Sequence, residues 1–598
     1  MAIEKPMPMK AFLDAVEKRL GECSSDELRA ILRTMAQQTS PKDRIVFLSK
    51  LKPTAASSDV RPADDKALLK DIASVAEELE EAMADPPLEN PAYHDSYDSY
   101  GYDYDHDREA PEGPYEEFVE PVTELFDRAA AAFDFGNLAL ARAAYSKLFK
   151  LLDLADEYDM RLDPADLSDV EMGEARARYL RAVYETEPLK RRPEVLFEEI
   201  EEIMSLMYGS RPMLEDVIQI STKPLPDQEG FLTDWIAFLR EQEGKDADAW
   251  LREAIRLSQG TPGLEKLARA EGKKRPRAYV DWVAALIQES KPREAMAAAQ
   301  EALGTLDRDL PVRAAIADQL CAAAKPLNET EALRNGRWEA FDADPTTTRL
   351  LDLWELPAQG AEKDRLMKEA AEHVKAHMGR KPRRREMAGQ WCDDQEDDLG
   401  TDWVDKSTLA HASLLAGDWQ AAHQLAKGEK VLGWSGSDNA QGLVVSFFLA
   451  LLSRKGGEAP APNVSKQWQW ALGMAGWAAS DREQYDEDEE GPQEEAQDTG
   501  EKRLEQAYAN RMQSISLREE EAKEILSWCL DVAQRRTKEI VSNQHRKSYG
   551  KAAILVAACA ETLRRRGDEK GAEKLVDGVR KRFPRHSAFQ AELRAAMP

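Results

Sequence analysis

Two histidines in the segment AAEHVKAHMGRKPRRR have a spacing that suits metal chemistry. His373 and His377 are four residues apart, so on a helix both rings lie on one face and can bind one metal ion. A zinc-binding helix of the HExxH type needs a glutamate directly after the first histidine, and Val374 occupies that position. We therefore interpret the pair as a surface or capping feature at a helix C-terminus, where positive charge stabilises the helix.

An acidic segment and the motifs of common enzymes give no stronger case for catalysis. The segment CDDQEDDLGTD (392–402) has carboxylates for a hard cation, but it lacks the ordered alternation and the closing glutamate of an EF-hand loop. We interpret it as a solvated loop between helices. No GxxxxGK[ST], GxGxxG or GxSxG motif occurs in the chain. The sequence therefore predicts no catalytic residue, no cofactor and no metal ligand.

Aromatic and charged side chains in two short segments are the better candidates for partner binding. The segment YHDSYDSYGYDYDHDREAPEGPYEEF (93–118) has rings placed between acids, which suits a peptide that lies on a basic groove of this molecule or of a partner, with rings stacked on arginine. The alternative is a connector without a docking role. The second segment, HRKSY, could line a groove or could cap and pack the terminal helices. The candidate residues are Tyr97, Tyr100, Tyr102 and Tyr104 in the first segment, and His545, Arg546 and Tyr549 in the second.

Charge and composition narrow the classes of partner. The chain has 598 residues, a formal net charge of −30 and 32% charged residues. Such a charge repels phosphate, so nucleic acid is not an expected partner, and we interpret the basic runs at 189–193, 273–277 and 380–385 as turns between helices. Proteins with basic surfaces are the expected partners. The five cysteines are scattered, and no run of 18 apolar residues occurs, which predicts a soluble, cytoplasmic protein that does not enter membranes.

Helical spacing of apolar residues in every long patterned segment predicts an all-α fold. We expect a helical unit at 1–52, then a linker at 53–115 that holds one acidic helix and the disordered tyrosine- and aspartate-rich segment. A helical-repeat array follows at 116–480, an acidic disordered loop at 481–501 and a C-terminal helical domain at 502–598. Ser516 and Glu519 are predicted to open that domain as a capping box. Six tryptophans are expected in helix-pair cores rather than on an aromatic binding surface: Trp403, Trp419, Trp434, Trp468, Trp470 and Trp477.

The repeat array is predicted from recurring small residues and turn glycines. In ILVAACAETLRRRGDEKGAEKLVDGVRKRFP, Ala560 and Ala572 stand where two helices cross closely, and Gly567 stands at the turn between them. Four further segments repeat the arrangement around Ala141, Ala247, Ala295 and Ala422. The spacing resembles that of the tetratricopeptide-repeat family. The resemblance implies irregular helical hairpins that stack as an α-solenoid and offer an extended surface to partners.

A second resemblance concerns the C-terminal part of the chain. The segments RRTKEIVSNQHRKSYGKAA and RFPRHSAFQAEL are similar to the C-terminal part of large uncharacterised bacterial proteins that also carry a SWIM-type zinc finger. That finger needs a CxC and a later CxH, and neither occurs here, so no zinc site is implied. We expect a non-catalytic scaffold or adaptor for other proteins. The alternative is a regulatory protein, an enzyme or an enzyme's substrate on a helical fold, with a site that the sequence does not reveal.

Overall fold

The computed structural model describes residues 65–84, 115–156, 160–162, 169–206, 212–357, 360–378, 406–435, 439–454, 460–479 and 493–597, together with a few single residues elsewhere. In these ranges the regular elements are helices and no strand occurs, so the predicted all-α class is confirmed. The helices pack against their neighbours along the chain in a repeat-like arrangement. Nearly all of the predicted N-terminal unit, 1–52, lies outside the described residues.

Contacts divide the chain into two compact units, with the boundary after Leu264. The helices of the first unit are α1 (Asp65–Ala84), α2 (Val119–Asp134), α3 (Leu138–Leu152), α4 (Met172–Thr186), α5 (Arg192–Leu206), α6 (Leu214–Gln219), α7 (Gln228–Glu241) and the first part of α8 (Lys245–Glu271). The boundary falls inside α8, just after a kink at Gly260, where φ is 61° and ψ is −158°.

The second unit continues from α8 to the C-terminus. Its other helices are α9 (Arg277–Gln288), α10 (Pro292–Thr305), α11 (Val312–Ala324), α12 (Thr330–Ala343), α13 (Thr347–Trp354), α14 (Ala361–His377), α15 (Lys406–Leu415), α16 (Trp419–Lys427), α17 (Gln441–Ser453), α18 (Pro462–Ala479), α19 (Gln493–Ser514), α20 (Glu519–Ser542), α21 (Tyr549–Arg565), α22 (Glu569–Arg582) and α23 (Ser587–Ala595).

Helix α1 is packed rather than free in a linker. Leu68, Ile72, Leu79 and Met83 recur at helical spacing along one face, and all four are buried. The helix contacts both α2 and α3. The sequence placed this acidic helix in a linker because its charged residues dominate the composition. Its apolar stripe instead makes it part of the first unit.

Helices α2, α3 and α4 share an aromatic core. The ring of Phe149 lies 6.0 Å from Phe126 and 5.6 Å from Tyr179, measured between ring centres, and the second pair meets edge to face. Phe149 is 1% exposed. Buried rings remove large apolar areas from water, and each well-oriented pair stabilises the fold by about a further 0.5–1.5 kcal/mol. This core joins successive helices into a layer.

The turn glycines and small residues of the repeat pattern lie where the pattern predicts. Gly136, Gly417 and Gly567 have φ values of 81°, 80° and 87°. Residues with a Cβ atom rarely adopt this backbone conformation. Ala560 and Ala572, on α21 and α22, are fully buried. A small side chain at both positions allows these two helices to pack closely. The relation to the tetratricopeptide-repeat family itself stays a prediction.

The helices after residue 502 pack against earlier ones. Helix α18 contacts α21, and α17 contacts both α20 and α21. The Glu561 carboxylate of α21 accepts hydrogen bonds from the backbone N–H groups of Asn463 (2.9 Å) and Val464 (3.0 Å), and from the Asn463 side chain (2.6 Å). An acid from one helix therefore satisfies donors at the N-terminus of another. These helices share one core with α17 and α18.

Two helix starts differ from the sequence prediction. Helix α19 begins at Gln493, so the last nine residues of the predicted acidic loop 481–501 are helical. Glutamate, glutamine and alanine are good helix formers, which the charge count does not reveal. Helix α20 begins at Glu519, and the side chain that caps its start is Glu521, which pairs with Arg518, rather than a capping box of Ser516 with Glu519. The Glu521 carboxylate accepts the Arg518 backbone N–H at 2.9 Å.

Candidate partner-binding surface

The predicted partner-binding residues fall into three groups in the structure. Tyr97, Tyr100, Tyr102 and Tyr104 lie outside the described residues. His545 and Arg546 are exposed between α20 and α21. Tyr549 is 4% exposed and packs inside, which agrees with the packing role that the sequence left open for it.

A short rigid turn presents His545 and Arg546. Helix α20 ends at Ser542, and Gln544, with φ of 58°, reverses the chain. A 3₁₀ turn at Arg546–Ser548 then leads directly into α21. The His545 backbone N–H donates to the Ile540 carbonyl at 3.0 Å. The exposed side chains therefore stand on a backbone that is fixed to both helices.

Three buried rings hold the start of α21, the end of α22 and α23 together. The Phe589 ring centre lies 5.7 Å from Tyr549 and 5.8 Å from Phe583, and both pairs meet nearly at right angles. Phe589 is completely buried. The Gln590 side chain also donates to the carbonyls of Arg580 and Phe583, each at 3.1 Å, so α23 caps the C-terminus of α22. This aromatic trio is the rigid floor of the site.

Six exposed cations surround the aromatic trio, and each lies within three residues of one of its rings. None of them forms an ion pair within the part of the chain that the structure describes. The stretches 545–551 and 578–586 contain no acidic residue at all, in a chain whose net charge is −30. We call these six residues the basic surface: Arg546, Lys547, Arg580, Lys581, Arg582 and Arg585.

Helix electrostatics explain only half of the basic surface. Its three members in the last turn of α22 stand at a helix C-terminus, where cations are stabilising. Arg546 and Lys547 instead directly precede the N-terminus of α21, and Arg585 precedes that of α23. The positive end of each helix dipole repels a cation there, which costs about 0.3–1 kcal/mol. The same three residues also follow the C-termini of α20 and α22, whose negative ends attract cations, so the two neighbouring helix ends act on them in opposite directions.

Arginines elsewhere in the second unit act differently. The guanidinium of buried Arg313 donates to the carbonyls of Leu303 (2.7 Å) and Leu306 (2.9 Å), which ends α10. Arg536, also buried, donates to the Val431 carbonyl at 2.5 Å, and burial lowers its pKa to about 10. These side chains satisfy helix ends from within. The basic surface contrasts with them because its charges face solvent.

The two histidines with metal-binding spacing have other contacts. His377 is the last residue of α14, and its Nδ1 lies 2.8 Å from the His373 carbonyl oxygen. The Nε2 of His373 lies 3.2 Å from the carbonyl oxygen of Asp342. The described residues contain no group of three or more potential ligands that could hold a metal ion. The acidic segment 392–402 lies outside them.

Each of the two described basic runs contains one buried, structural arginine, while the other cations of these runs are exposed. Arg192, in the run 189–193, is buried and donates to the Glu187 carbonyl at 3.1 Å. Arg275, in the run 273–277, is buried beside Glu271. The run 380–385 lies outside the described residues, as do Trp403 and the side chain of Trp477. The remaining predicted tryptophans pack on the core of the second unit: Trp419, Trp434, Trp468 and Trp470.

Sequence inspection missed a buried polar pair. The Nδ1 of His411 on α15 lies 2.7 Å from the hydroxyl oxygen of Tyr508 on α19, and both side chains are completely buried. Burial lowers the pKa of His411 to about 3 and raises that of Tyr508 well above its usual value. The neutral pair has no access to solvent and serves packing. Its partners lie too far apart in sequence for any local signal.

No protein-family model matches the chain, and no curated protein matches it. Among the described helices, none has both the length and the apolar content required to cross a bilayer.

Proposed function

We propose that this protein is a non-catalytic interaction scaffold that binds other proteins through the surfaces of its packed helical hairpins. The observation that carries the proposal is the basic surface. Six exposed cations, none with an ion pair in the described residues, are concentrated around a buried aromatic trio. A cluster of one sign of charge on a fixed backbone suits recognition of a partner of the opposite charge.

The helical arrangement supports the same proposal. Consecutive helices pack through small residues and buried arginine contacts, which gives fixed surfaces rather than a deep cleft. Rigid helix faces lose little conformational entropy when a partner binds. We further propose a cytoplasmic location, supported by the free, buried thiols of Cys529 and Cys559.

Affinity capture with the full chain, followed by reconstitution, tests the proposal. The chain is immobilised and incubated with native lysate, and each captured protein is then purified separately. The scaffold function predicts that a purified partner and the chain form a complex of defined stoichiometry in size-exclusion chromatography with light scattering. It also predicts that the partner's mass is unchanged after incubation. Failure of every purified partner to form such a complex, or a covalent change in the partner, overturns the proposal.

A further inference from the structure

We infer that the basic surface is a docking site for an acidic, carboxylate-rich peptide segment of a partner protein. This inference rests on the proposed scaffold function and specifies the chemistry of one partner. Three features of the surface support it: its charge, its arginine content and the buried rings beneath its cations.

Charge complementarity determines the sign of the ligand. Exposed arginines without an ion pair in the described residues occur elsewhere in the second unit as well, such as Arg293 and Arg365. The basic surface differs from them because it gathers six such cations around one aromatic trio. An acidic segment supplies the missing counter-charges. Four of the six cations are arginines, whose planar guanidinium groups bind carboxylates through two parallel hydrogen bonds.

The size of the surface favours a peptide over a nucleic acid. The cations are confined to three short pieces of chain around one aromatic trio. A nucleic acid carries charge along its whole length, about one negative charge per 1.7 Å of duplex, and would extend from this surface over a strongly acidic chain. A short acidic peptide ends before it meets that repulsion.

The rings beneath the cations support the same choice. Tyr549, Phe583 and Phe589 are all buried, so none of these three rings offers a face on which a base can stack. Proteins that bind single-stranded nucleic acids usually combine cations with exposed rings. Here the rings hold the cations in place, and the exposed chemistry is that of guanidinium and ammonium groups.

Fluorescence anisotropy with the full chain tests the inference. The probe is a fluorescein-labelled peptide in which glutamate alternates with glycine, and the reference peptide has glutamine in place of glutamate. The test variant carries Arg546→Glu and Arg585→Glu. The matched control carries Lys570→Glu and Lys574→Glu, which change the same number of exposed charges on the other half of α22.

We expect the glutamate peptide to bind at low salt and the glutamine peptide not to bind. The test variant should weaken binding about tenfold or more, while the control stays within about twofold. Because Arg546 and Arg585 are exposed and form no ion pair in the described residues, the test variant should melt at the same temperature as the wild type, which separates lost binding from lost folding.

Four outcomes overturn the inference. The first two are that the glutamate peptide does not bind at low salt, and that the control variant weakens binding as much as the test variant does. The third is that duplex DNA binds more tightly than the peptide, and the fourth is that the peptide binds only after deletion of residues 481–492, which would assign the surface to the chain's own acidic segment. A reconstituted complex that survives the test variant leaves the scaffold function standing and refutes only this docking site. If the peptide binds but no purified partner forms a complex with the chain, the docking site stands and the scaffold function is refuted.

Discussion

Replacing Arg181 with methionine should destabilise the end of the first unit that contains α6 and α7. Arg181 is 1% exposed and lies on α4. Its guanidinium donates to four backbone carbonyls, at 3.2 Å and 3.4 Å at the C-terminal end of α6 and at 2.9 Å and 3.1 Å in the loop that follows. It also pairs with Glu185 at 2.5 Å. One side chain therefore fixes a helix end and a loop to α4.

The expected cost follows from these distances. Two of the carbonyl contacts are well within the usual range for hydrogen bonds, one is at its limit and one is weak. A hydrogen bond to a charged group contributes about 1.5–3 kcal/mol, and removal of one partner from a buried ion pair costs about 3–5 kcal/mol. Methionine fills much of the volume but donates nothing, so we expect a loss of about 3–5 kcal/mol in local stability.

Hydrogen exchange followed by mass spectrometry is the suitable assay, because a melting curve of this multi-unit chain averages over regions that the change does not touch. Amides at 214–241 should exchange about 100- to 4,000-fold faster in Arg181→Met, since each 1.4 kcal/mol corresponds to a factor of about ten. Arg191→Met is the control, because that side chain is exposed, and it should leave exchange unchanged. Unchanged exchange in Arg181→Met would refute the assignment of Arg181 as the residue that fixes this region.

Three further variants test the second unit. Ala572→Arg should lower the free energy of unfolding by about 3 kcal/mol or more, because a long charged side chain cannot fit at the close crossing of α21 and α22. The control Glu573→Arg changes an exposed neighbour and should be neutral. Equal melting temperatures for the two variants would contradict the repeat assignment. Glu561→Ala should cost about 2 kcal/mol in urea unfolding by removing the acceptor at the start of α18, and a loss below about 0.5 kcal/mol would refute that role. Burial lowers the pKa of His411, so below pH 6.5 the unfolded chain binds a proton that the folded chain refuses, and stability present above pH 6.5 is lost as pH falls toward 3. His411→Gln should reduce the slope of unfolding free energy against pH in that window by up to about 1.4 kcal/mol per pH unit, with His545→Gln as the control for loss of a histidine.

Local sequence patterns predicted the helix class and the turns well. Helical periodicity depends only on residues within a few positions of one another, and a glycine such as Gly567 reports its own backbone conformation. The exact helix starts were harder. Helix α19 begins at Gln493 and α20 at Glu519, and the capping-box pattern of Ser516 with Glu519 does not mark the start of α20.

Tertiary relations escaped the sequence for a different reason. In the sequence, helix α1 reads as an exposed acidic helix, and only its contacts with α2 and α3 show that its apolar stripe is buried. His411 and Tyr508 form a hydrogen bond although they lie on helices α15 and α19, which are far apart in the sequence. The basic surface combines both situations. Arg546 is visible in its own short basic segment, but its association with Arg582 depends on the contact of Tyr549 and Phe583 with one shared ring.

The two uses of arginine in this chain separate structure from function by a physical criterion. Buried guanidinium groups such as Arg181 and Arg313 lower the free energy of the fold, because each satisfies carbonyls that no other donor reaches. Arg546 and Arg585 instead are exposed, and neither forms an ion pair in the described residues. A binding partner that supplies carboxylates would give these guanidinium groups the paired acceptors that they lack in the free protein. For that reason the exposed arginines of the basic surface, and not the buried ones, are those we assign to recognition.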